Sequence, residues 1–552
     1  MTRVNQRSLI AITALAIIAF SAHAQQPPDS VTSDAYGNTA MGLDALFNNG
    51  TPNEGTPVSV YNTAAGSQAL EDNTTGFSGS AFGDNALNSN TTGYSNSAFG
   101  AYALANNTIG GNNTAVGQSA LYYNVSGYGN VAVGLWALLN NGVSGNTAVG
   151  AVALENNTTG SANTATGSQA LQFNLTGGND TASGYAALYS NTTGSENTAA
   201  GYSALNGNTT GANLTAVGAN ALFSSTTAND NTALGYSALY NTTTGMENSA
   251  SGANALYSNT TGNRNNASGE GALYSNTTAN DNNAMGANAL YDNTTGTLNN
   301  AMGNFAMEYN TTGNNNNAVG YGAMLHNTTG SDNSAQGYFA LENNTSGSLN
   351  IGVGYEAGVN QTTGHQNIYI GSAGVAAESH IIRIGSSTGV SVQSAAFIAG
   401  ISGNVQTGGT VVVTSSGQLG VASSSQRYKQ NIEPLGDVSE RLYGLRPVKF
   451  RYIKRDEQGQ NPVQFGLIAE EVAEVLPEVV YRNAEGKVEG VRYDELTPLL
   501  VSEVQQQQQK LATQENRLRS LEQQLAEVVE LNRTMQMALA ELKAKDARVA
   551  MR

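Results

Sequence analysis

The stretch NTAAGSQALEDNTTGFS, Asn62 to Ser78, returns as DTASGYAALYSNTTGSE at Asp180 to Glu196. The shared pattern is N-x-A-x-G-x-x-A-L-x-x-N-T-T-G-x-x, seventeen residues long. Its central glycine falls at Gly66, Gly83, Gly100, Gly117 and Gly134 and loses one residue before Gly150. It then recurs at Gly167, Gly184, Gly201, Gly218, Gly235, Gly252, Gly269, Gly286, Gly303, Gly320, Gly337, Gly354 and Gly371. A period held over eighteen intervals decides the architecture before any single residue does.

Seventeen residues are too few for a helix pair, which takes about thirty or more per repeat. Asn, Thr and Gly are also weak helix formers. The N-x-A-x-G piece alternates, as a short strand does when its small residues turn inward. The Ala-Leu pair supplies the main apolar contact. N-T-T-G reads as a turn, with Gly free to take positive φ. One copy buries little, but stacked copies share a continuous narrow core. The expected fold is therefore mainly β, a parallel β-solenoid or β-roll with one repeat per rung. At about 4.7–4.9 Å per rung it spans roughly 85–90 Å. Two alanines and a leucine per rung make a thin core, and the chain has no cysteine to staple it. Burying one face against copies of itself is the expected remedy, so a homo-oligomer is the expected state.

Charge separates this region from the tail. Before Ser425 the only basic residues are Arg3, Arg7, Arg264 and Arg383, against twenty acids, and Lys429 is the first lysine of the chain. The first part carries a net charge of −16 and the tail −1. A long acidic region without lysine argues against phosphate-backbone binding, so no nucleic-acid partner is expected. The N-terminus MTRVNQRSLIAITALAIIAFSAHA has Arg3 and Arg7, an apolar run from Leu9 to Phe20, and an A-x-A site at Ala22-His23-Ala24. This reads as an export signal over residues 1–24. The run is short for a membrane span, and no later segment suits one. A secreted or cell-surface protein is expected, with no membrane span in the mature chain.

The motifs NTAVG and NSAFG resemble the head repeats of trimeric autotransporter adhesins, whose rungs build a left-handed parallel β-roll trimer. The resemblance covers about 300 residues, although that family's repeats are usually shorter and its C-terminal β-barrel anchor has no counterpart here. Three repeat features are candidate binding elements. The Thr-Thr pairs would stack into ladders facing ice or sugar, or simply form a solvent corner. The tyrosines after Ala-Leu, at Tyr122, Tyr189, Tyr240, Tyr257, Tyr274 and Tyr291, would bind glycans or cover the roll's seam. The Asn-x-Thr sequons matter only where a host glycosylates them. No metal or cofactor is expected: His326, His365 and His380 do not cluster, and no glycine run sits between a strand and a helix as a phosphate loop.

After Gly371 the period fades into short β-branched runs, NIYIGSAG, HIIRIGSSTG and GGTVVVTSSGQLGVA, read as a β-rich neck over 372–422. Composition then switches at SSSQRYKQNIEPL, Ser423 to Leu435. SERLYGLRPVKFRYI suggests a short helix, a stop at Pro447 and a strand; FGLIAEEVAEVLPEVV suggests a helix with Leu467, Ile468, Val472, Val475 and Leu476 on one face. Together with VEGVRYDELTPLLV, these motifs resemble the intramolecular chaperone domain of endosialidases and other phage tail-spike and fibre proteins, a family of self-cleaving serine peptidases. The resemblance implies a small α+β domain that helps the preceding stalk to trimerise and then cuts itself off with a serine–lysine dyad. Carried onto this chain, the nucleophile is Ser424, the base Lys429 and the supporting cation Arg427, and the cut bond is Ser423–Ser424. Ser425 stands where the family has Asp.

From about Leu499 the chain reads as a helix. Val504, Leu511, Leu518, Leu525, Asn532, Leu539 and Asp546 step by sevens, followed by Gln507, Gln514, Leu521, Val528, Met535, Leu542 and Val549. This is the a/d seam of a coiled coil. The expected order is a signal over 1–24, a flexible segment over 25–37, the solenoid over 38–371, the neck over 372–422, the chaperone domain over 423–500 and the coiled coil over 501–552. The function expected is that of an exported, trimeric, adhesin-like fibre, at most a single-turnover self-cleaving peptidase, facing a surface glycan or host-cell target. The alternative is a permanent, non-cleaving trimerisation domain on a glycan- or ice-binding solenoid.

Overall fold

The computed structural model describes residues 32–49, 59–386, 393, 411–414, 418–421, 423–453, 459–483 and 485–551. The export signal expected over 1–24, the first part of the segment 25–37 and the greater part of the neck 372–422 lie outside the described residues. The chain divides into two compact units, Met1–Ser394 and Ala395–Arg552.

In the first unit each repeat contributes one three-residue strand, from Thr39–Met41 through Thr63–Ala65 to Ile382–Ile384. Each strand pairs in parallel with the next, like residue on like: Thr181 with Thr198, Ala182 with Ala199, Ser183 with Ala200. The result is a parallel β-solenoid of about 19 turns. The one short repeat keeps this register, with Val131 opposite Thr147. There the Val143 carbonyl replaces that of the turn glycine, accepting from Asn130 and Asn141 at 2.8 and 2.7 Å. The residue is therefore lost from the Thr-Thr corner, outside the strand and the buried amide columns.

The core forms as the alternation requires. Ala182, Ala187 and Leu188 are fully buried, as are their equivalents along the roll. Leu188 sits at a φ of 51°, in the left-handed region. That conformation costs a side chain roughly 1–2 kcal/mol, whereas burying a leucine stabilises by roughly 1.5–3 kcal/mol. Burial wins, and the chain turns tightly enough to close a narrow rung. Gly184 has a φ of 141°, and a Cβ on it would lie 2.3 Å from the Gly201 carbonyl oxygen. No other residue allows rungs to stack this closely.

The interior is also more polar than the pattern suggests. The asparagine of N-T-T-G, read as part of an outer turn, is buried. Asn191 donates from Nδ2 to Asn174 Oδ1 at 2.8 Å and to the Gly194 carbonyl at 2.9 Å. The asparagine that opens each repeat is buried too: Asn113 Oδ1 accepts the Asn130 N–H at 2.9 Å, and its Nδ2 donates to the Gly127 carbonyl at 2.8 Å. Two columns of amides thus run through the roll. Strands of three residues leave much of each rung's backbone in turns, and these amides bond the buried peptide groups that no ladder reaches.

The last rungs are built differently. Gly352 and Gly358 stand where earlier rungs have the strand alanine and the core leucine. Tyr369 fills the volume: it is fully buried, and a Cβ on Gly358 would lie 2.7 Å from its ring. Its hydroxyl donates to Gln361 Oε1 at 3.3 Å, and burial together with Glu378 pushes its pKa upward. Arg383 pairs with Glu378 at 2.6 Å beside it. A repeat array needs an atypical end of this kind.

The second unit opens with an antiparallel pair, Val411–Val413 with Leu419–Val421. A 3-10 turn at Gln426–Tyr428 and a 3-10 helix at Gly436–Gly444 follow. Val448–Phe450 pairs antiparallel with Gln464–Gly466, and helix α1 spans Ala469–Val475. Val480–Arg482 pairs with Val488–Val491, and helix α2 spans Tyr493–Val549. Two expectations shift. The expected apolar face from Leu467 to Leu476 is not all helical: Leu467 and Ile468 precede α1 in extended backbone, and Leu476 caps it. The strand ending at Gly466 leaves no room for an earlier start. Helix α2 begins at Tyr493 rather than near Leu499, because Leu496 and Leu499 complete a core with Val472, Leu476, Val479 and Val480. Its later apolar residues, among them Leu511, Leu518, Leu525 and Leu539, are exposed in the single chain.

Candidate functional site

The switch in composition at Ser423 falls on extended backbone. Ser425 has a φ of −67° and a ψ of 138°, and the chain then winds once through Gln426–Tyr428. Two backbone bonds close the turn, Tyr428 N–H to Ser425 O and Lys429 N–H to Gln426 O, both 3.0 Å. One such turn reverses the chain enough to bring residues five apart together. Lys429 Nζ donates to Ser424 Oγ at 3.1 Å. The pair singled out in the sequence is thus in hydrogen-bond contact, the geometry a base needs to take a hydroxyl proton. Arg427 points elsewhere, its guanidinium 4.9 Å from the centre of the Tyr428 ring. Ser425 caps the turn without a side-chain hydrogen bond. Residues 423–438 are all exposed in the single chain. A lysine acts as a base only once it is neutral, and burial is the usual way to make it so.

The segment behind the pair is anchored to the long helix. Tyr443 hydrogen-bonds Glu503 and Gln507 of α2. Gln506 Nε2 donates to the Gly436 carbonyl at 3.0 Å, and Lys510 reaches Glu440 at 3.2 Å. Arg441 donates to the Val475 carbonyl at 2.8 Å and pairs with Glu478 at 3.1 Å. These contacts tie the 3-10 helix to both α1 and α2.

The repeat features are also placed. Phe223, Tyr240, Tyr257, Tyr274 and Tyr291 stack face to face, with centroids 5.1, 5.1, 5.1 and 4.9 Å apart. Their ring faces cover one another, which leaves edges rather than faces for a sugar. Tyr122 and Tyr189 instead meet Tyr123 and Phe173 edge-on. A second aromatic column escaped the sequence reading. It follows the repeat glycine at Tyr185, Tyr202, Tyr236, Tyr321, Tyr338 and Tyr355, all exposed, and the Gly-Tyr pairs were its signal. The first threonine of each pair is tied to the next rung, as Thr192 Oγ1 is to the Thr209 carbonyl at 2.8 Å. The second, such as Thr193, is exposed. The sequon asparagines of N-T-T-G, Asn73 and Asn191 among them, are buried, which puts them out of reach of glycosylation in the folded roll, whereas Asn112, Asn179 and Asn213, each two residues before a threonine, are exposed. Among the described residues, no cluster of three His, Cys, Asp or Glu could hold a metal ion, and no helix is long and apolar enough to cross a membrane.

Residues 424–481 match the family described as chaperone of endosialidase. The match begins at Ser424 itself, runs through the 3-10 helix and α1, and ends at Tyr481, inside the strand Val480–Arg482. No curated protein and no solved structure matches the chain.

Proposed function

We propose that the chain is an exported, homotrimeric, adhesin-like fibre whose C-terminal domain directs assembly of the solenoid and then cuts itself away at Ser423–Ser424. The observation that carries this reading is the 3.1 Å contact between Lys429 Nζ and Ser424 Oγ at the first residue of the family match. In the proposed cut, Lys429 takes the Ser424 hydroxyl proton and Oγ attacks the Ser423 carbonyl carbon. The carbonyl–nitrogen bond breaks as the Ser424 nitrogen gains a proton. Water then hydrolyses the resulting ester, leaving Ser424 as a new N-terminus. Packing against partner copies would supply the burial that the single chain does not, so the cut would follow assembly.

Two surfaces support a trimer. The outward strand positions from Thr39 and Met41 to Ile382 and Ile384 include no charged residue. The acids of the solenoid lie elsewhere on the rungs, and the strand face carries Phe82, Phe99, Val217, Leu234, Met285 and Met302 to the surface. The exposed heptad seam of α2 is the second. Identical rungs can slip by whole repeats, and non-local β pairing is slow; a trimeric seed at one end fixes the register.

The test is a denaturing gel of purified full-length protein. A fragment beginning at Ser424, lost in Ser424→Ala and in Lys429→Ala, supports self-cleavage. Uncut chains in the assembled trimer favour the second reading, a permanent trimerisation domain, to which Ser425 in the family's Asp position points. In that case the exposed tyrosine column would be the place to look for a glycan target at the cell surface.

A further inference from the structure

We propose that the solenoid interior binds one ordered water molecule at Ser225, in the place of an asparagine amide that this rung lacks. The column of N-T-T-G asparagines runs unbroken from Asn73 to Asn208 and resumes at Asn259; Ser225 and Thr242 stand between. All four of Asn208, Ser225, Thr242 and Asn259 are fully buried.

An intact rung shows what the break removes. Asn208 Nδ2 donates to Asn191 Oδ1 at 2.9 Å and to the Gly211 carbonyl at 3.0 Å. Asn197, which opens the same rung, donates to that carbonyl as well, at 3.0 Å. In a rung with both asparagines the inner carbonyl therefore faces two amide donors. On the next rung the equivalent carbonyl belongs to Ala228, and both donors have been replaced, one by Leu214 and the other by Ser225. Asn208 Oδ1 and Ser225 Oγ are buried with no protein partner.

The surroundings of two equivalent glycines locate the missing atom. A Cβ on Gly194 would meet the Gly211 oxygen at 2.2 Å, Asn191 Oδ1 at 2.6 Å and Asn208 Nδ2 at 2.9 Å. A Cβ on Gly211 would meet the Ala228 oxygen at 2.3 Å and Asn208 Oδ1 at 2.5 Å, but its third neighbour is Leu214 Cδ1 at 3.1 Å. The same two acceptors converge in both places. Only at the first does a nitrogen stand between them.

Two acceptors and one hydroxyl suit a water molecule in number and in polarity. The water donates one hydrogen to Asn208 Oδ1 and one to the Ala228 carbonyl, and accepts from Ser225 Oγ–H. Three bonds are the usual complement of a buried water. Serine ends about where the asparagine amide begins, and the amide group is of about the size of a water. A metal cation fits less well, since these groups include no carboxylate to offset the cost of removing its hydration. At the following rung the Gly245 carbonyl already accepts from Asn231 at 2.7 Å, so the pair of waiting acceptors is not repeated there. The water then bridges the break in the amide column at this rung, while the backbone pairing continues across it.

High-resolution diffraction from the full chain and from Ser225→Asn, with a rubidium soak and hydrogen exchange on both, tests the site. The expected result is one density peak within hydrogen-bond reach of Asn208, Ser225 and Ala228, without rubidium anomalous signal. In Ser225→Asn an amide should replace the peak, and exchange across residues 214–230 should slow about tenfold, the equivalent of one net hydrogen bond. A dry site closed over by Leu214, a rubidium peak, or unchanged exchange in the variant would each overturn the assignment.

Discussion

Lys429 Nζ and Ser424 Oγ stand 3.1 Å apart because a single 3-10 turn, Gln426–Tyr428, separates them. The turn is lightly held: its cap, Ser425, makes no side-chain bond. Aspartate at a cap accepts the free N–H groups of the first turn more strongly than serine left unbonded. Ser425→Asp should therefore hold the pair together for more of the time. We expect the fraction of chains cut at Ser423–Ser424 in a fixed time to rise about tenfold, equal to about 1.4 kcal/mol in the barrier. The rise should vanish in Ser425→Asp/Lys429→Ala. Intact mass over time reads both; no cleavage in Ser425→Asp would leave the domain a permanent anchor.

Asp180 gives the solenoid a pH dependence. It occupies the place of an opening asparagine, and its Oδ1 accepts the Asn197 N–H at 2.8 Å. It has no amide hydrogen with which to donate as Asn163 does to the Gly177 carbonyl at 2.8 Å. Burial pushes its pKa up to about 7, from 3.8 for a free aspartate; the Asn197 bonds oppose the shift and Glu196 adds to it. The folded state thus holds the proton where the unfolded chain releases it. Stability is full below the unfolded value, falls as pH rises through the window from 3.8 to about 7, and is flat above. At about 1.4 kcal/mol per unit the loss reaches roughly 4 kcal/mol at most. Asp180→Asn should abolish this slope and be the more stable protein at pH 8. Hydrogen exchange across residues 163–197, corrected for intrinsic rates, checks it, with the Asn282 rung as internal control; equal pH profiles in the two proteins would count against it.

The repeat told the fold because its period, its alanines and its leucines act locally, rung by rung. The amide columns were harder to see. Asn191 in N-T-T-G has the composition of a surface turn, and only stacking turns its side chain inward to meet Asn174. Tyr369 likewise reads as a strand residue until Gly352 and Gly358 vacate the core for it. At the candidate site Ser424 and Lys429 were named through the family resemblance, and the 3-10 turn that brings them within 3.1 Å carries no signal of its own in SSSQRYK. The place of Arg427 was not legible either, because its contact with the Tyr428 ring competes with the role its charge suggests.

Asn276 tests whether the amide column carries stability. Its Nδ2 donates to Asn259 Oδ1 at 2.9 Å, and its Oδ1 accepts from Asn293 at 3.1 Å. Asn276→Ala leaves both neighbours buried with a bond unmade, a cost of roughly 1–3 kcal/mol for each group. Thr278, two residues on in the same sequon, is exposed, and Thr278→Ala should stay within about 0.5 kcal/mol. Denaturant unfolding of the two variants against the parent measures the difference. Similar losses in both would mean that the column fills space without bonding.

The strand face tests the trimer. Leu234 lies on it, 42% exposed in the single chain. In an isolated chain Leu234→Asp changes a surface residue and should cost about 0.5 kcal/mol or less. In a trimer packed through this face it would bring a buried, unpaired carboxylate from each copy, and each costs several kcal/mol. Ala253→Asp is the control, because Ala253 follows the repeat glycine on another side of the rung. Sedimentation at micromolar concentration should find the parent and Ala253→Asp as trimers and Leu234→Asp as smaller species or aggregates. Circular dichroism of any soluble Leu234→Asp fraction should still report β structure if the rung itself tolerates the change. A trimer that survives Leu234→Asp and fails with Ala253→Asp would move the interface to the tyrosine side, and with it the expectation that those rings are free to meet a ligand.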